Sequence, residues 1–377
     1  MLDVAIVGGG PVGSAAAALA APSGLAIAVL EARAAPSGDR RILALSHASR
    51  ERLEEAHAWP AADATPITSI HISQRGGPGR TLLEASEQSL PALGYTVPYA
   101  ALESALGASL AGAGIEVRRG AACTAIRLDP DAAIVTLASG EEVRARLLVI
   151  ADGGASAAMI PGIGFTEKDY GQHAVVGAVR TDRPHGGRAY ERFTPQGPLA
   201  LLPVAGHYAL VWTAVPERAR ELLALADAEF LEGLQAAFGD RAGRFTAVDS
   251  RNAFPLRLRA VNTPVALRTV IVGNAAQAMH PVAGQGLNLG LRDAAALADL
   301  LRAAPESAGS REMLDAYREA RRRDATRGVA FTDFLVSAFA DARRMPTWGR
   351  GLALAAFDLL PPARRLLAER MIHGAPT

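Results

Sequence analysis

The chain is short of several residues and patterns, and each shortage removes a class of function. It has a single cysteine, Cys123, so it holds neither an internal disulfide nor a multi-cysteine metal site, which fits a reducing compartment. Its 39 Lys+Arg against 38 Asp+Glu leave a formal charge of +1, which gives no basis for a nucleic-acid partner. No stretch reaches eighteen uninterrupted apolar residues, so no segment is expected to span a membrane. The apolar N-terminus lacks a basic leading region, carries Asp3 and is interrupted by three glycines, so it is not expected to be a secretory signal. Internal repeats, low-complexity linkers and an acid–base dyad are missing as well. What is present is 377 residues, half of them hydrophobic, enough for two domains sharing a substantial core. A cytoplasmic location is the expectation.

Two glycine-rich segments stand out against that background. Asp3-Val4-Ala5-Ile6-Val7 reads as a strand, Gly8-Gly9-Gly10-Pro11-Val12-Gly13 follows at once, and the small residues Ser14 to Ala18 open a helix. A second apolar strand, Ala26 to Leu30, ends on Glu31, eighteen residues past Gly13. This is the β-α-β dinucleotide fingerprint. Gly8 permits the tight turn, Gly10 lets a pyrophosphate approach, and Gly13 lets helix pack on strand. A carboxylate at position 31 can accept from both ribose hydroxyls, which favours FAD or NAD over NADP as the bound nucleotide.

The second segment decides between those two. Val270-Ile271-Val272 reads as a buried strand that breaks at Gly273, and a loop containing Pro281, Gly284 and Gly286 leads to a helix near Leu287. Glycines at 284, 286 and 290 let backbone approach a flat ligand where side chains would collide. The helix start presents unpaired N–H groups and a partial positive charge to that ligand. A reduced flavin ring needs both. A pyridine-nucleotide dehydrogenase needs no second loop of this kind, so FAD is expected, with its adenosine end at Gly8–Glu31 and its ring end near 273–288.

These residues resemble the class A flavoprotein monooxygenases of the para-hydroxybenzoate hydroxylase fold, and within that group the ubiquinone-biosynthesis hydroxylases. Four anchors carry the resemblance across most of the chain. They are Gly8-x-Gly10-x-x-Gly13 with Glu31, the segment Asp39 to Ser46, Ala151-Asp152-Gly153, and Gly273-Asn274 through Asn288. The resemblance implies an α/β protein: a Rossmann-like FAD-binding domain with an inserted, mainly antiparallel β-sheet substrate domain. It implies cofactor contacts from Gly8, Gly10, Pro11, Val12, Gly13, Glu31, Arg41, Asp152, Gly153, Gly273, Asn274, Gly284, Gly286, Leu287 and Asn288. Arg41, or Arg40 beside it, would meet the pyrophosphate. Asp152 would touch the riboflavin moiety, its alternative being an ordinary Asx cap of a strand-to-helix turn. Asn274 replaces an Asp of the wider class, and alanine occupies positions 100 and 101, where relatives carry a flavin contact.

The implied activity is FAD-dependent hydroxylation of an aromatic ring with NAD(P)H and O2, through a flavin C4a-hydroperoxide. Its substrate would be a polyprenylated phenol of ubiquinone biosynthesis. Pro281 would sit by the C4a edge, and backbone amides of Gly286, Leu287 and Asn288 would stabilise charge on the reduced ring. His280 is either a proton carrier or a polar loop residue. No second nucleotide fingerprint is present, which fits transient docking of the nicotinamide. Other readings stay open: a hydroxylase of another small aromatic compound, a reductase or dehydrogenase on the same domain, or a non-catalytic FAD-binding subunit of a quinone-biosynthesis complex. A halogenase is disfavoured because Trp59, Trp212 and Trp348 form no Trp-x-Trp-x-x-Pro. No metal site is expected.

Alternating periodicity supports this organisation. Residues 1–65, 95–168 and 265–335 are expected to form the discontinuous FAD-binding domain, 66–94 and 169–264 the substrate domain, and 336–377 a helical terminal segment. Strands are expected at Ile67–Ile72, Leu147–Ala151, Ala174–Val179, Ala189–Phe193, Leu199–Pro203 and Tyr208–Val215. The apolar stretch Gly349 to Leu360, followed by Arg364, Arg365 and Arg370, has two readings. It packs on the FAD-binding domain, or it rests on anionic lipid as a peripheral contact at the inner face of the cell membrane.

Overall fold

Strand β1 (Leu2–Val7) buries Val4 to Val7 on both faces, as a parallel strand with a neighbour on each side must. The computed structural model describes residues 1–75, 80–278 and 285–322. In it β1 lies between β2 (Ile27–Glu31) and β11 (Glu142–Ile150), parallel to both. The sheet continues through β8 (Glu116–Arg119) on one side. On the other come β18 (Thr269–Ile271) and β17 (Val265–Ala266), and β9 (Cys123–Leu128) and β10 (Ala133–Leu137) add an antiparallel pair to β11. Its strands therefore come from three separated stretches of chain.

Helices α1 (Pro11–Ala20), α3 (Tyr99–Gly112) and α6 (Gln285–Ala303) cover one face of this sheet in a single apolar core. The alanines of α1 keep it close to its neighbours, and glycines finish the fit. A Cβ on Gly13 would lie 2.0 Å from the Gly8 carbonyl oxygen, and one on Gly290 would lie 2.7 Å from Val12 Cγ2 and 3.1 Å from Gly273 Cα. Gly290 thus serves helix packing, a correction to its expected part in a ligand wall.

A second sheet runs β19 (Gln277–Ala278), β16 (Phe245–Val261), β12 (Phe165–Thr181), β15 (His207–Ala214), β14 (Gly197–Val204), β13 (Arg188–Thr194), β5 (Ser69–Gln74) and β6 (Arg80–Glu84). All its pairings are antiparallel except β13 with β5. Helices α4 (Pro216–Ala224) and α5 (Asp227–Phe238) pack on one face, burying Tyr190, Leu201, Leu210, Trp212 and Phe230 among others. The opposite face is left for the site. A small third sheet, β3 (Ile42–Ser46), β7 (Gly94–Pro98) and β4 (Thr65–Ile67), lies between the two, with α2 (His47–Glu55) following β3.

Some elements depart from expectation. The strand expected at Ile67–Ile72 is two, because Thr68 N–H turns aside to the Gly187 carbonyl at 2.8 Å and the halves join different sheets. The one expected at Ala174–Val179 extends to seventeen residues by pairing along β16, a strand the periodicity did not reveal. β11 starts five residues before the expected Leu147.

Candidate active site

One cavity of about 1430 Å³ joins the two large sheets. It exceeds the roughly 300–1,000 Å³ of a typical small-ligand pocket, leaving room for a dinucleotide and an aromatic ring together. At its nucleotide end, Gly8 has φ +107°, and an added Cβ would come within 2.6 Å of the Ala151 carbonyl carbon and Asp152 nitrogen. Gly10 differs: its Cβ would meet only the Tyr99 hydroxyl, at 4.0 Å, on the cavity wall. It precedes α1 without any side-chain cap, and no acid lies in the first turn. The helix's N–H donors and positive end are therefore left to an anionic ligand.

Glu31 is buried at the end of β2. Its Oε2 accepts from Gly9 N–H at 2.8 Å, and its Oε1 accepts from the Arg33 backbone N–H at 2.8 Å and Arg33 Nε at 2.9 Å. Burial alone would raise its pKa, but the Arg33 hydrogen bonds and charge, with Gly9 N–H, hold the carboxyl below its ordinary value. It is an acceptor at neutral pH. Arg41 donates to Asp39 Oδ2 at 2.8 Å and lies 5.6 Å over the Tyr99 ring. Arg40 and Arg41 both line the cavity.

Asp152, at the end of β11, also lines it. Its carboxylate accepts from Gly154 N–H at 3.0 Å and Ser156 N–H at 2.9 Å. This is the Asx turn held as the alternative reading. Neighbouring Gly153 has φ +77° and nothing within 4 Å of an added Cβ, so only a glycine conformation is demanded there.

At the other end, Asn274, Gly286 and Leu287 line the cavity, the last two in the first turn of α6, which has no acid. Gly273 is fixed from behind: its N–H donates to Asp293 Oδ2 at 2.9 Å, and Arg321 Nε donates to Asp293 Oδ1 at 2.7 Å. Gly13, Gly273 and Asn288 are not on the cavity wall. The Asn288 side chain accepts from Ser46 N–H at 2.8 Å and Ser49 Oγ at 2.7 Å, and donates to the Ala44 carbonyl at 3.0 Å. It ties α6 to β3 and α2. His280, Pro281 and Gly284 lie outside the described residues.

The substrate end is the free face of the second sheet. Asn252, Val176 and Val211 are cross-strand partners on that face, and all three line the cavity, as do Ala174, Leu202 and Ala209. The sequence reading missed two buried acids behind the cavity wall. Asp293 stands in the buried row Leu289, Asp293, Leu297, Leu301 of α6, and an acid at a four-residue spacing within an apolar stripe is a signal that could have found it. Glu191 on β13 has an Oε1 that is buried without any hydrogen-bond partner, and burial raises its pKa from 4.5 to about 7.

A family model described as an FAD binding domain matches residues 1–332. The chain belongs to the FAD-binding family of aromatic-ring hydroxylases. It is 37% identical to ubiquinone hydroxylase UbiL of Rhodospirillum rubrum, over 97% of this chain and 88% of that one. It is 35% identical to 3-demethoxyubiquinol 3-hydroxylase of Escherichia coli, over 79% of each. Among solved structures, p-nitrophenol 4-monooxygenase PnpA of Pseudomonas putida superposes with a TM-score of 0.81 over 100% of this chain and 99% of that one, at 19% identity. That likeness concerns the fold, which is of the para-hydroxybenzoate hydroxylase type.

This hydroxylase uses FAD as its cofactor and NAD(P)H as co-substrate. The residues present suit FAD: an open Gly10, two helix first turns without an acid and the Glu31 acceptor share one cavity wide enough for the dinucleotide. Glu191 gives the hydroxylase a pH signature. A carboxyl raised in the fold contributes fully below its unfolded pKa, and that contribution is lost as the pH rises toward and through about 7. Wild type should therefore lose stability relative to Glu191→Gln between pH 4.5 and pH 8, by on the order of 2–3 kcal/mol. Urea unfolding at the two pH values measures it. A constant difference would place the carboxyl in water.

Proposed function

We propose that this hydroxylase adds oxygen to the ring of a prenylated phenol on the way to a quinone, using NAD(P)H and O2. The observation that carries this reading is the single cavity that continues from the helix N-termini onto the apolar floor of the second sheet. Its wall includes Met159 and Phe254, which are 38% and 50% exposed, so an apolar tail has a route outward. The relatives named above as ubiquinone and demethoxyubiquinol hydroxylases support the substrate class.

Bound FAD supplies the reduced flavin that activates oxygen for transfer to the ring. The chain's own residues bind, orient and shield. Gly10 and the first turn of α1 receive the pyrophosphate, and Glu31 receives the ribose. Arg41, with Asp39 setting its direction, answers the remaining phosphate charge. The first turn of α6, at Gly286, Leu287 and Asn288, presents N–H donors to the negative pyrimidine edge of the ring. Asp293 sets the height of that wall by holding Gly273. Pro281 and Gly284 are assigned to the same edge from sequence alone. The apolar floor excludes water and sets the aromatic ring at reacting distance.

Asn274 is proposed to accept from a ribityl hydroxyl. Asn274→Asp should then hold FAD affinity within about 1 kcal/mol, whereas Asn274→Leu should lose more by leaving hydroxyls unpaired. Titration of apoprotein with FAD compares them, and equal behaviour would remove the residue from the site.

The reading itself is tested by incubating FAD-loaded enzyme with NAD(P)H, O2 and 2-prenylphenol. One hydroxylated product per NAD(P)H and O2 is expected, and FAD binding without oxygen-dependent turnover would point to a scaffold subunit. No described helix is long and apolar enough to cross a membrane. A prenylated substrate nonetheless calls for peripheral contact, which we assign to the apolar stretch 349–360 and Arg364, Arg365 and Arg370, outside the described residues. Full-length protein should float with anionic liposomes at low salt and a form ending before Pro346 should not. Full-length protein that stays unbound would transfer delivery of the substrate to a partner in a quinone-biosynthesis complex.

A further inference from the structure

His207 opens β15, and its side chain falls on the free face of the second sheet. The strand alternates: Tyr208, Leu210 and Trp212 enter the core beneath α4 and α5, so His207, Ala209 and Val211 point the other way. All three line the cavity. Across the sheet His207 pairs with Val204 of β14. On its other side, one residue past the pairing of Val179 with Tyr208, stands Arg180 of β12.

This corner of the sheet is tied to the end of the cavity assigned to the flavin ring. The carbonyl of Pro203, next to Val204, accepts from Thr96 Oγ1, and Ala205 N–H donates to Thr65 Oγ1 at 3.0 Å. Thr96 pairs in turn with Ala44 of β3, whose carbonyl accepts from the Asn288 side chain at the start of α6 at 3.0 Å. Ala44, Gly286 and Leu287 share the cavity wall with His207.

Three side chains with polar atoms come from the second sheet to the described cavity wall: His207, Ser250 and Asn252. Ser250 Oγ already donates to Asp249 Oδ1 at 3.1 Å. Asn252 is exposed, two residues from the equally exposed Phe254. His207 is half-buried, and among the described residues neither of its ring nitrogens has a hydrogen-bond partner. Burial lowers its pKa from 6.5, helped by Arg180 and by His185 in the turn after β12, against the pull of Asp249 on β16. The imidazole is therefore uncharged at neutral pH and offers one nitrogen as an acceptor. Once an apolar substrate displaces water from this floor, that acceptor is satisfied only by a donor on the substrate.

We propose that His207 accepts the hydrogen bond of the substrate's ring hydroxyl and so fixes which ring carbon faces the flavin. This rests on the phenol reading above. A prenylated phenol carries one O–H donor on an otherwise apolar body. Its ring lies on Ala209 and Val211, with the hydroxyl at the His207 corner. Held at that one point and confined by the flat floor, the ring keeps a single orientation toward the first turn of α6.

The test uses full-length, FAD-loaded enzyme with 2-prenylphenol and its methyl ether, 2-prenylanisole, as probes. Binding is read from the flavin absorption change and turnover from product per NAD(P)H consumed. Wild type should bind the phenol at least about tenfold more tightly than the ether. His207→Phe keeps a flat ring and removes the acceptor. It should bind the two within about twofold, and it should form at least about fivefold less product per NAD(P)H while still oxidising NAD(P)H. His207→Gln returns an acceptor oxygen and should recover a preference of at least about fivefold. A change of shape alone would not follow the acceptor in this way. A phenol preference that survives in His207→Phe overturns the inference alone. So does wild type that hydroxylates 2-prenylphenol yet binds both probes equally, which decides the matter should His207→Phe fail to fold. Wild type that neither binds nor hydroxylates 2-prenylphenol overturns the inference together with the reading beneath it.

Discussion

Gly10→Val should fold and purify without colour, whereas Gly13→Ala should scarcely fold. Both substitutions strike the same six-residue turn, but their surroundings are opposite. The Cβ added at position 10 has only the Tyr99 hydroxyl within reach, 4.0 Å away, so the protein accommodates it and the side chain projects into the cavity that Gly10 lines. Its methyls then occupy the space where a pyrophosphate must approach the backbone. FAD should bind about tenfold to a hundredfold more weakly, the affinity equivalent of the roughly 1–3 kcal/mol of an overpacked contact. The Cβ added at position 13 falls 2.0 Å from the carbonyl oxygen of Gly8, and backbone cannot swing aside as a side chain can. That variant should lose about 3 kcal/mol or more, a large share of a stability of about 5–15 kcal/mol. Thermal unfolding of the apoproteins and titration with FAD separate the two effects. A Gly10→Val protein with full flavin occupancy would contradict the placement of the pyrophosphate.

Asp293→Ala should be about as damaging, by another route. The carboxylate and the Arg321 guanidinium are 3% and 8% exposed. Removing one member of so buried a pair typically costs about 3–5 kcal/mol. Here the backbone N–H of Gly273 loses its acceptor as well, so the turn at Gly273 loosens together with the core. Asp293→Asn preserves the shape and one acceptor oxygen and should fall between wild type and Asp293→Ala. Urea unfolding of the apoproteins at neutral pH gives the stabilities. A loss under about 1 kcal/mol for Asp293→Ala would mean that the pair and the Gly273 contact hold nothing in place.

The dinucleotide turn and the class of fold were readable because their signals are local. A glycine turn between an apolar strand and an alanine helix, with an acid closing the next strand, is written in consecutive residues. The long strand β16 was not readable, and the reason is geometric. Its register against β12 shifts between Val176 and Ala178, where Ser250 takes φ +53°. A bulge moves every later side chain to the other face, so strict alternation fails across it. Asn288 was expected at the flavin, but it lies off the cavity wall. Nothing in a sequence tells that its side chain turns the other way, onto Ser46 and Ser49. Glu191 escaped notice for a similar reason. Its importance lies in what surrounds it on strands distant in the chain, and only pairing brings Ala200 and Ile72 to its sides.

The order in which the strands are made has a consequence for the newborn protein. β1 and α1 precede the other described elements in the chain, yet α1 buries its alanine face against α6, and β11 pairs with β18, which begins at residue 269. Until α6 has emerged, α1 lacks one of the helices it packs against and the cavity lacks one wall. Contacts so distant along the chain close slowly. Incomplete chains also carry exposed apolar surface that invites aggregation. The cavity that suits the flavin is therefore incomplete until α6 joins the glycine turn before α1.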